Sequence, residues 1–245
     1  MYSLQPIISA SLERLKEATQ SAVPDACAAE QTKLTSMGFR LPCMLKRQEL
    51  DDTVCSKSVK LLLRCQPAVL SNAVPLQTVA DGNCLFRAIS RALYGFEEAH
   101  SALRLSSAME VGLHSWLYDI SSPACHPLLR HPVVVCPEYF RVFRELTTNG
   151  AESCFAAMVA VSSILSHALR SYYPPGLSDI TNSLSTTIRG RNACADRVVS
   201  IMWSTTDVVP ATGPVNINHF VPLMERGNHK STPLLDGTMS VSHPH

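Results

Sequence analysis

Cys84 stands where a tight Asp81-Gly82-Asn83 turn runs into the apolar helical stripe of Leu85, Ala88, Ile89, Ala92 and Leu93. A thiol attacks as its thiolate, and the free amides and dipole of a helix N-terminus stabilise that charge. The turn supplies a second element. Glycine lets the chain bend so that the amides around Gly82 and Asn83 can face a developing oxyanion. One short segment therefore offers both a nucleophile and an oxyanion hole. Buried cysteine is common in any core, but the other cysteines among the nine lack this setting, so Cys84 is expected to be the most reactive of them.

A thiol nucleophile needs a base, and His219 is the best placed histidine. It lies in the segment Val215 to Leu223, where Ile217, His219 and Val221 alternate with Asn216, Asn218 and Phe220 as on a strand. His167 closes a helical segment, and His229, His243 and His245 fall in a polar tail. For the third member of a triad the sequence leaves alternatives open. Asp81 is counted with Cys84 and His219 as a catalytic candidate, Asn218 and Asn216 are candidate orienters of the imidazole, and Asp207 and Asp236 would need tertiary placement.

These residues require elements to hold them. Val74 to Leu76 reads as a short entry strand, Gly95 as the end of the Cys84 helix, and Ser101 to Tyr118 as a second helix. Pro123 to Pro137 is too rich in proline to be helical throughout. Glu152 to Tyr172 reads as a central buried helix stopped by Pro174 and Pro175, and Arg197 to Trp203 as a strand beside that of His219. Upstream, Leu4, Ile7, Ile8, Leu12 and Leu15 have helical spacing, and Val59 to Leu63 form another apolar cluster. The polar stretch between them shows no clear period.

Composition narrows the class. With 245 residues, 46% of them hydrophobic, the chain can bury one sizeable core. A balance of 21 basic against 20 acidic residues gives +1, no field for gripping a phosphate backbone, so nucleic acid is not an expected partner. The odd cysteine count and the absence of a signal-like N-terminus suggest a reducing compartment, cytoplasmic or nuclear. No apolar run reaches membrane-spanning length, and no repeat is present. Cys125, His126, His131 and Cys136 lack the paired spacing of a regular zinc knuckle, so no metal is expected. Arg189, Arg191 and Arg197 read as a solvated basic cluster.

Asp81-Gly82-Asn83-Cys84-Leu85-Phe86-Arg87-Ala88 resembles the nucleophile motif of the ovarian tumour (OTU) family of cysteine proteases, most of which remove ubiquitin from proteins. The family's base is a histidine on a strand near the end of the domain, followed by an aromatic residue, and Asn218-His219-Phe220 fits. Many members carry Asp or Asn two residues after the histidine; here that place is Val221. Val74 to Tyr118, Glu152 to Tyr173, and Ile201-Met202-Trp203 with His219-Phe220-Val221-Pro222 are also similar to vertnin-like proteins. Those carry an OTU-like fold whose cysteine can be lost.

The resemblance implies an α+β, papain-like fold of the OTU type, with a small central sheet flanked by helices. The expected organisation is an N-terminal helical extension over 1–72, the OTU-like domain over 73–225, and a tail over 226–245. The implied reaction is thiol hydrolysis of ubiquitin conjugates, needing no cofactor, with ubiquitin or a ubiquitinated protein as partner. The alternative is a vertnin-like nuclear binding module with little or no catalysis.

Overall fold

In the computed structural model the described residues are 4–42, 53–132, 134, 137–174 and 184–226. Among them, eight α-helices and five strands follow one another: α1 Gln5–Lys16, α2 Val23–Ser36, α3 Ser56–Cys65, β1 Ala73–Pro75, α4 Cys84–Tyr94, α5 His100–Leu113, α6 Ser115–Tyr118, α7 Tyr139–Thr147, α8 Phe155–Leu165, β2 His167–Tyr172, β3 Thr187–Ile188, β4 Cys194–Ser204 and β5 His219–Glu225. The sheet order is β1-β5-β4-β2-β3. Within this sheet β2 and β4 are parallel, whereas β5 runs antiparallel to both β4 and β1, and β3 antiparallel to β2. The class is therefore α+β, a small sheet flanked by helices.

The sheet separates two apolar layers. On one side Ile201 and Phe220 meet α4, α5 and α8 in a core that also takes in Ile8, Leu12 and Leu15 of α1. On the other, Met202, Val221 and Leu223 pack against Leu61 and Leu62 of α3. Because both faces are covered, every residue from His219 to Leu223 is buried. The alternation expected around His219 is thus a matter of which layer a side chain enters, not of wet against dry.

Two expected elements differ. The segment Glu152 to Tyr172, expected as one helix, is helical only over Phe155–Leu165 and then becomes β2. The switch is made at Ser166, whose φ of 55° lies in the left-handed region and ends the helix. Serine gives no sign of that role, unlike Gly95, which does the same after α4 with φ 80°. An inner strand buried on both faces also lacks the polar alternation that would have marked it. The helix expected over Ser101 to Tyr118 breaks at His114 into α5 and α6.

The stretch without visible period holds α2. Its inward face is Val23, Cys27, Glu30 and Leu34. Glu30 is tolerated there because Arg14 and Ser11 of α1 bond its carboxylate. A charged residue on the buried stripe conceals a helix from a reading that counts only apolar positions. Residues 43–52 and the tail expected after Arg226 lie outside the described residues.

Candidate active site

Cys84 is the first residue of α4 and His219 the first of β5, and both line one cleft of about 550 Å³. Its walls include Asp81 and Gly82 from the turn, Glu152 and Ser153 from the segment before α8, Trp203 from β4, and Phe220. A larger cavity, about 870 Å³, lies at the far end of α4 beside His167, Asp196 and Arg197. Among the described residues it is lined by no cysteine, so the smaller cleft is the one that holds the candidate nucleophile.

Cys84 is 8% exposed, and burial pushes its thiol above the ordinary 9.0. Amide donors of Phe220 and Leu85 and its own N–H work in the opposite direction, and the nearby Asp81 charge adds to the rise. A helix N-terminus alone therefore does not make this sulfur a thiolate; desolvation outweighs it. His219, 5% exposed, moves the other way: burial lowers its pKa below the ordinary 6.5, against opposing contributions from Thr78 and Asp81. Both shifts favour a neutral thiol beside a neutral imidazole at rest.

The tautomer of that imidazole follows from its neighbours. Thr78 donates its hydroxyl hydrogen to the Phe220 carbonyl at 2.7 Å, so at 3.2 Å from Nε2 the same oxygen serves as acceptor. Nε2 thus carries the hydrogen, and Nδ1, buried and without a hydrogen-bond partner among the described residues, keeps a free lone pair. Thr78 is the residue the sequence reading missed. It lies six positions before the cysteine, where nothing in residue type or spacing distinguishes it from a loop threonine. We expect Thr78→Val to slow any reaction that uses His219 about 5-fold, the value of roughly 1 kcal/mol of lost orientation, with Thr78→Ser near wild type. Equal rates for Val and wild type would show that the ring is held by packing alone.

The other candidates are placed elsewhere. Asp81 does not bond His219; Arg87 grips its two oxygens, at 2.9 Å for the closest, and the Asn83 amide bonds it at 2.9 Å. Burial would raise the Asp81 pKa, yet these partners outweigh it and hold the carboxyl below its usual range. Asp81 is an ionised brace for the turn. Asn218 bonds the Thr206 amide and hydroxyl, and Asn216 bonds Asp207, so neither orients the imidazole. Asp236 lies outside the described residues. Val221 is fully buried in the α3 layer, and an aspartate there would meet Leu61, Leu62 and Met202 instead of a hydrogen-bond partner.

The turn also differs from expectation in how it uses glycine. Gly82 has no positive φ; a Cβ on it would overlap the backbone of Gly150. Close approach, not turning, is what requires glycine here. The amides of Asn83 and Cys84 bond Asp81, to its carboxylate and carbonyl respectively. Of the expected oxyanion donors, the Gly82 amide has no protein acceptor among the described residues.

No group of metal-ligating side chains is found among the described residues. In the segment weighed for zinc, His126 bonds the Arg189 carbonyl and the Leu128 amide, and Cys136 lies outside the described residues. Arg191 pairs with the buried Glu110, so the basic cluster is partly structural.

Residues 75–127 match the family model described as the OTU domain of vertnin, a span that includes the Cys84 turn and stops short of His219. This segment marks the chain as carrying an OTU-like domain. No curated protein matches the chain. Among solved structures it is similar to the OTUD1 OTU domain, at 16% identity and a TM-score of 0.46, covering 68% of this chain and 99% of that one. It is also similar to the viral OTU domain protease of Taggert virus, at 12% identity and a TM-score of 0.43, covering 65% and 84%. The corresponding protease of Dera Ghazi Khan virus gives 11% and 0.41, covering 64% and 84%.

Proposed function

We propose that this chain is an OTU-like thiol hydrolase that cleaves ubiquitin conjugates at amide or isopeptide bonds. The observation that carries this reading is the shared cleft of Cys84 and His219, with His219 turned so that Nδ1 is the free base. As a substrate carbonyl approaches, Nδ1 takes the thiol proton while sulfur forms its bond to carbon. Charge then develops on the carbonyl oxygen, for which the Gly82 amide is a candidate donor. Collapse expels the amine, which takes the proton from the imidazolium and leaves an acyl-enzyme on Cys84. Water, deprotonated by His219, releases the acid and restores the thiol. No cofactor enters these steps. The proposed organisation is the N-terminal helices as an extension over 1–72 and the OTU-like domain over 73–225, and the proposed site of action is the cytoplasm or nucleus.

A second reading, a vertnin-like binding module without turnover, has specific support. The thiol is pushed upward, two turn amides are already engaged, and the matching family model is that of vertnin. Cleavage of a panel of diubiquitins separates the two readings. The hydrolase is expected to cut at least one linkage, and Cys84→Ala none; a folded wild type that binds ubiquitin but cuts nothing supports the module.

The pH profile follows from the neutral pair. His219, with its pKa lowered from 6.5, is already a free base at neutral pH, and the Cys84 thiol, raised above 9.0, is still protonated. We expect kcat/KM to be flat from about pH 6.5 to about 9, falling only on the acid side as His219 protonates. An acid limb centred between about pH 7 and 8 would contradict the neutral imidazole.

A further inference from the structure

Arg104, on α5, has no exposed surface and no ion-pair partner among the described residues, yet it sits directly behind the nucleophile turn. Its guanidinium makes five hydrogen bonds: Nε to Asn83 Oδ1 at 2.8 Å, Nη1 to the carbonyls of Glu145 and Thr148, and Nη2 to the carbonyls of Gly82 and Ala151, each at 2.7 Å. Its plane lies over the Phe86 ring, 4.7 Å from the centroid. Two of these acceptors belong to the residues immediately before Cys84. The others belong to the segment that Gly82 touches, which leads to Glu152 and Ser153 in the opposite wall of the cleft.

A fully buried cation whose hydrogen bonds all go to neutral acceptors is costly, because no carboxylate in contact repays its desolvation. Neutral polar groups could close the same loops at lower cost. A charge that no carboxylate touches is what distinguishes this arrangement from an ordinary loop clamp. We infer that Arg104 is a positioning residue for Cys84: it pins the Gly82–Asn83 backbone against the Thr148–Ala151 segment and supplies fixed positive charge to the sulfur as it ionises.

This inference rests on the proposed nucleophilic role of Cys84 but is tested without any substrate. Burial lowers the Arg104 pKa to about 10, which still leaves it a cation at neutral pH, while the Cys84 and Asp81 charges work to raise it. The mutual attraction must lower the thiol pKa in return. Among the described residues, the other charged or titratable groups around the turn include Asp81, Arg87 of α4 with its neighbours Glu97 and His100, Glu152 in the cleft wall and His219 on β5. Asp81 opposes ionisation of the thiol, and Arg87 is already paired with it.

The protein contains its own control. Cys154 is the N-cap residue of α8; burial pushes its thiol up, and the nearby amides of Ala157, Ala156 and its own N–H act in the opposite direction. Its charged neighbour is Glu145, which opposes ionisation as Asp81 does at Cys84. Arg104 bonds the residue next to Cys84, whereas the acceptor it bonds nearest to Cys154 in sequence is Ala151, three residues away. The test is the pH dependence of iodoacetamide alkylation at the two cysteines, resolved by peptide mapping in the intact chain. Midpoints are used because they do not depend on how easily the reagent reaches each sulfur. Cys84 is expected to titrate at least about one pH unit below Cys154, a tenfold greater thiolate fraction at a given pH. Arg104→Gln should close that gap, and Arg104→Lys should largely keep it. Coincident midpoints in the wild type overturn the inference, as does a folded Arg104→Gln in which Cys84 titrates unchanged. Should Arg104→Gln lose its cooperative melt, the two wild-type midpoints alone decide between the outcomes.

Discussion

Replacing His219 by alanine is expected to slow hydrolysis at Cys84 by about 10² to 10⁴-fold while the chain stays folded. The size of the effect comes from the state of the thiol. Burial holds Cys84 protonated at neutral pH, so with no base the sulfur must lose its proton to water before or during attack. The alanine variant also loses the proton donor for the leaving amine. Folding should survive because the imidazole lies at the start of β5 and its main tie is to Thr78, which still bonds the Phe220 carbonyl. A linked change in stability is expected. A histidine whose folded pKa is lowered contributes stability that is present above the unfolded value near 6.5 and lost as pH falls through the folded value. His219→Ala should therefore lose less stability than wild type between about pH 6.5 and 5. Rates within twofold of wild type would remove His219 from the mechanism.

Gly82→Ala is expected to be the most damaging single-methyl change in the turn. The new Cβ would collide with the carbonyl carbon and oxygen of Gly150, both backbone atoms, so no side-chain rotation can relieve it. Relief requires moving the Thr148–Ala151 segment, which Arg104 ties to the same turn through the carbonyls of Thr148 and Ala151 on one side and that of Gly82 on the other. Overpacking of this kind costs about 3 kcal/mol, which for a chain of this size lowers Tm by about 6 to 12 °C. Gly150→Ala is the informative control. Its Cβ would meet nothing within 4 Å, and the only cost is its φ of +78°, about 1 to 2 kcal/mol. Thermal melts of the two variants check the ordering. A Gly82→Ala protein as stable as Gly150→Ala would mean that the turn and the neighbouring segment are not in rigid contact.

How much of this could be read from the chain depended on whether the signal was local. The Cys84 turn and helix were legible because nucleophile, glycine and apolar stripe are contiguous, and Gly95 marked the helix end. The strand that brings His219 into the cleft of Cys84 was legible from its alternating residues. Thr78 was not, since its meaning lies in a contact between the turn after β1 and the start of β5. Nor was the role of Gly82: glycine near a cysteine suggests a bend, while the real demand comes from Gly150, far along the sequence. Asn218 and Asn216 have the right chemistry at the right distance in sequence, but the loop before β5 turns them toward Thr206 and Asp207. Arg104 could not be singled out at all, because a buried arginine satisfied by carbonyls looks like any helical arginine until the fold closes over it.

The reading of Cys84 and His219 as a working pair is tested most directly with ubiquitin bearing a C-terminal electrophile. Wild-type protein is expected to form a covalent adduct that maps to Cys84, Cys84→Ala to form none, and His219→Ala to form it slowly with its fold intact by circular dichroism. Folded wild-type protein that binds ubiquitin reversibly yet forms no adduct, or an adduct that persists in Cys84→Ala, would contradict it.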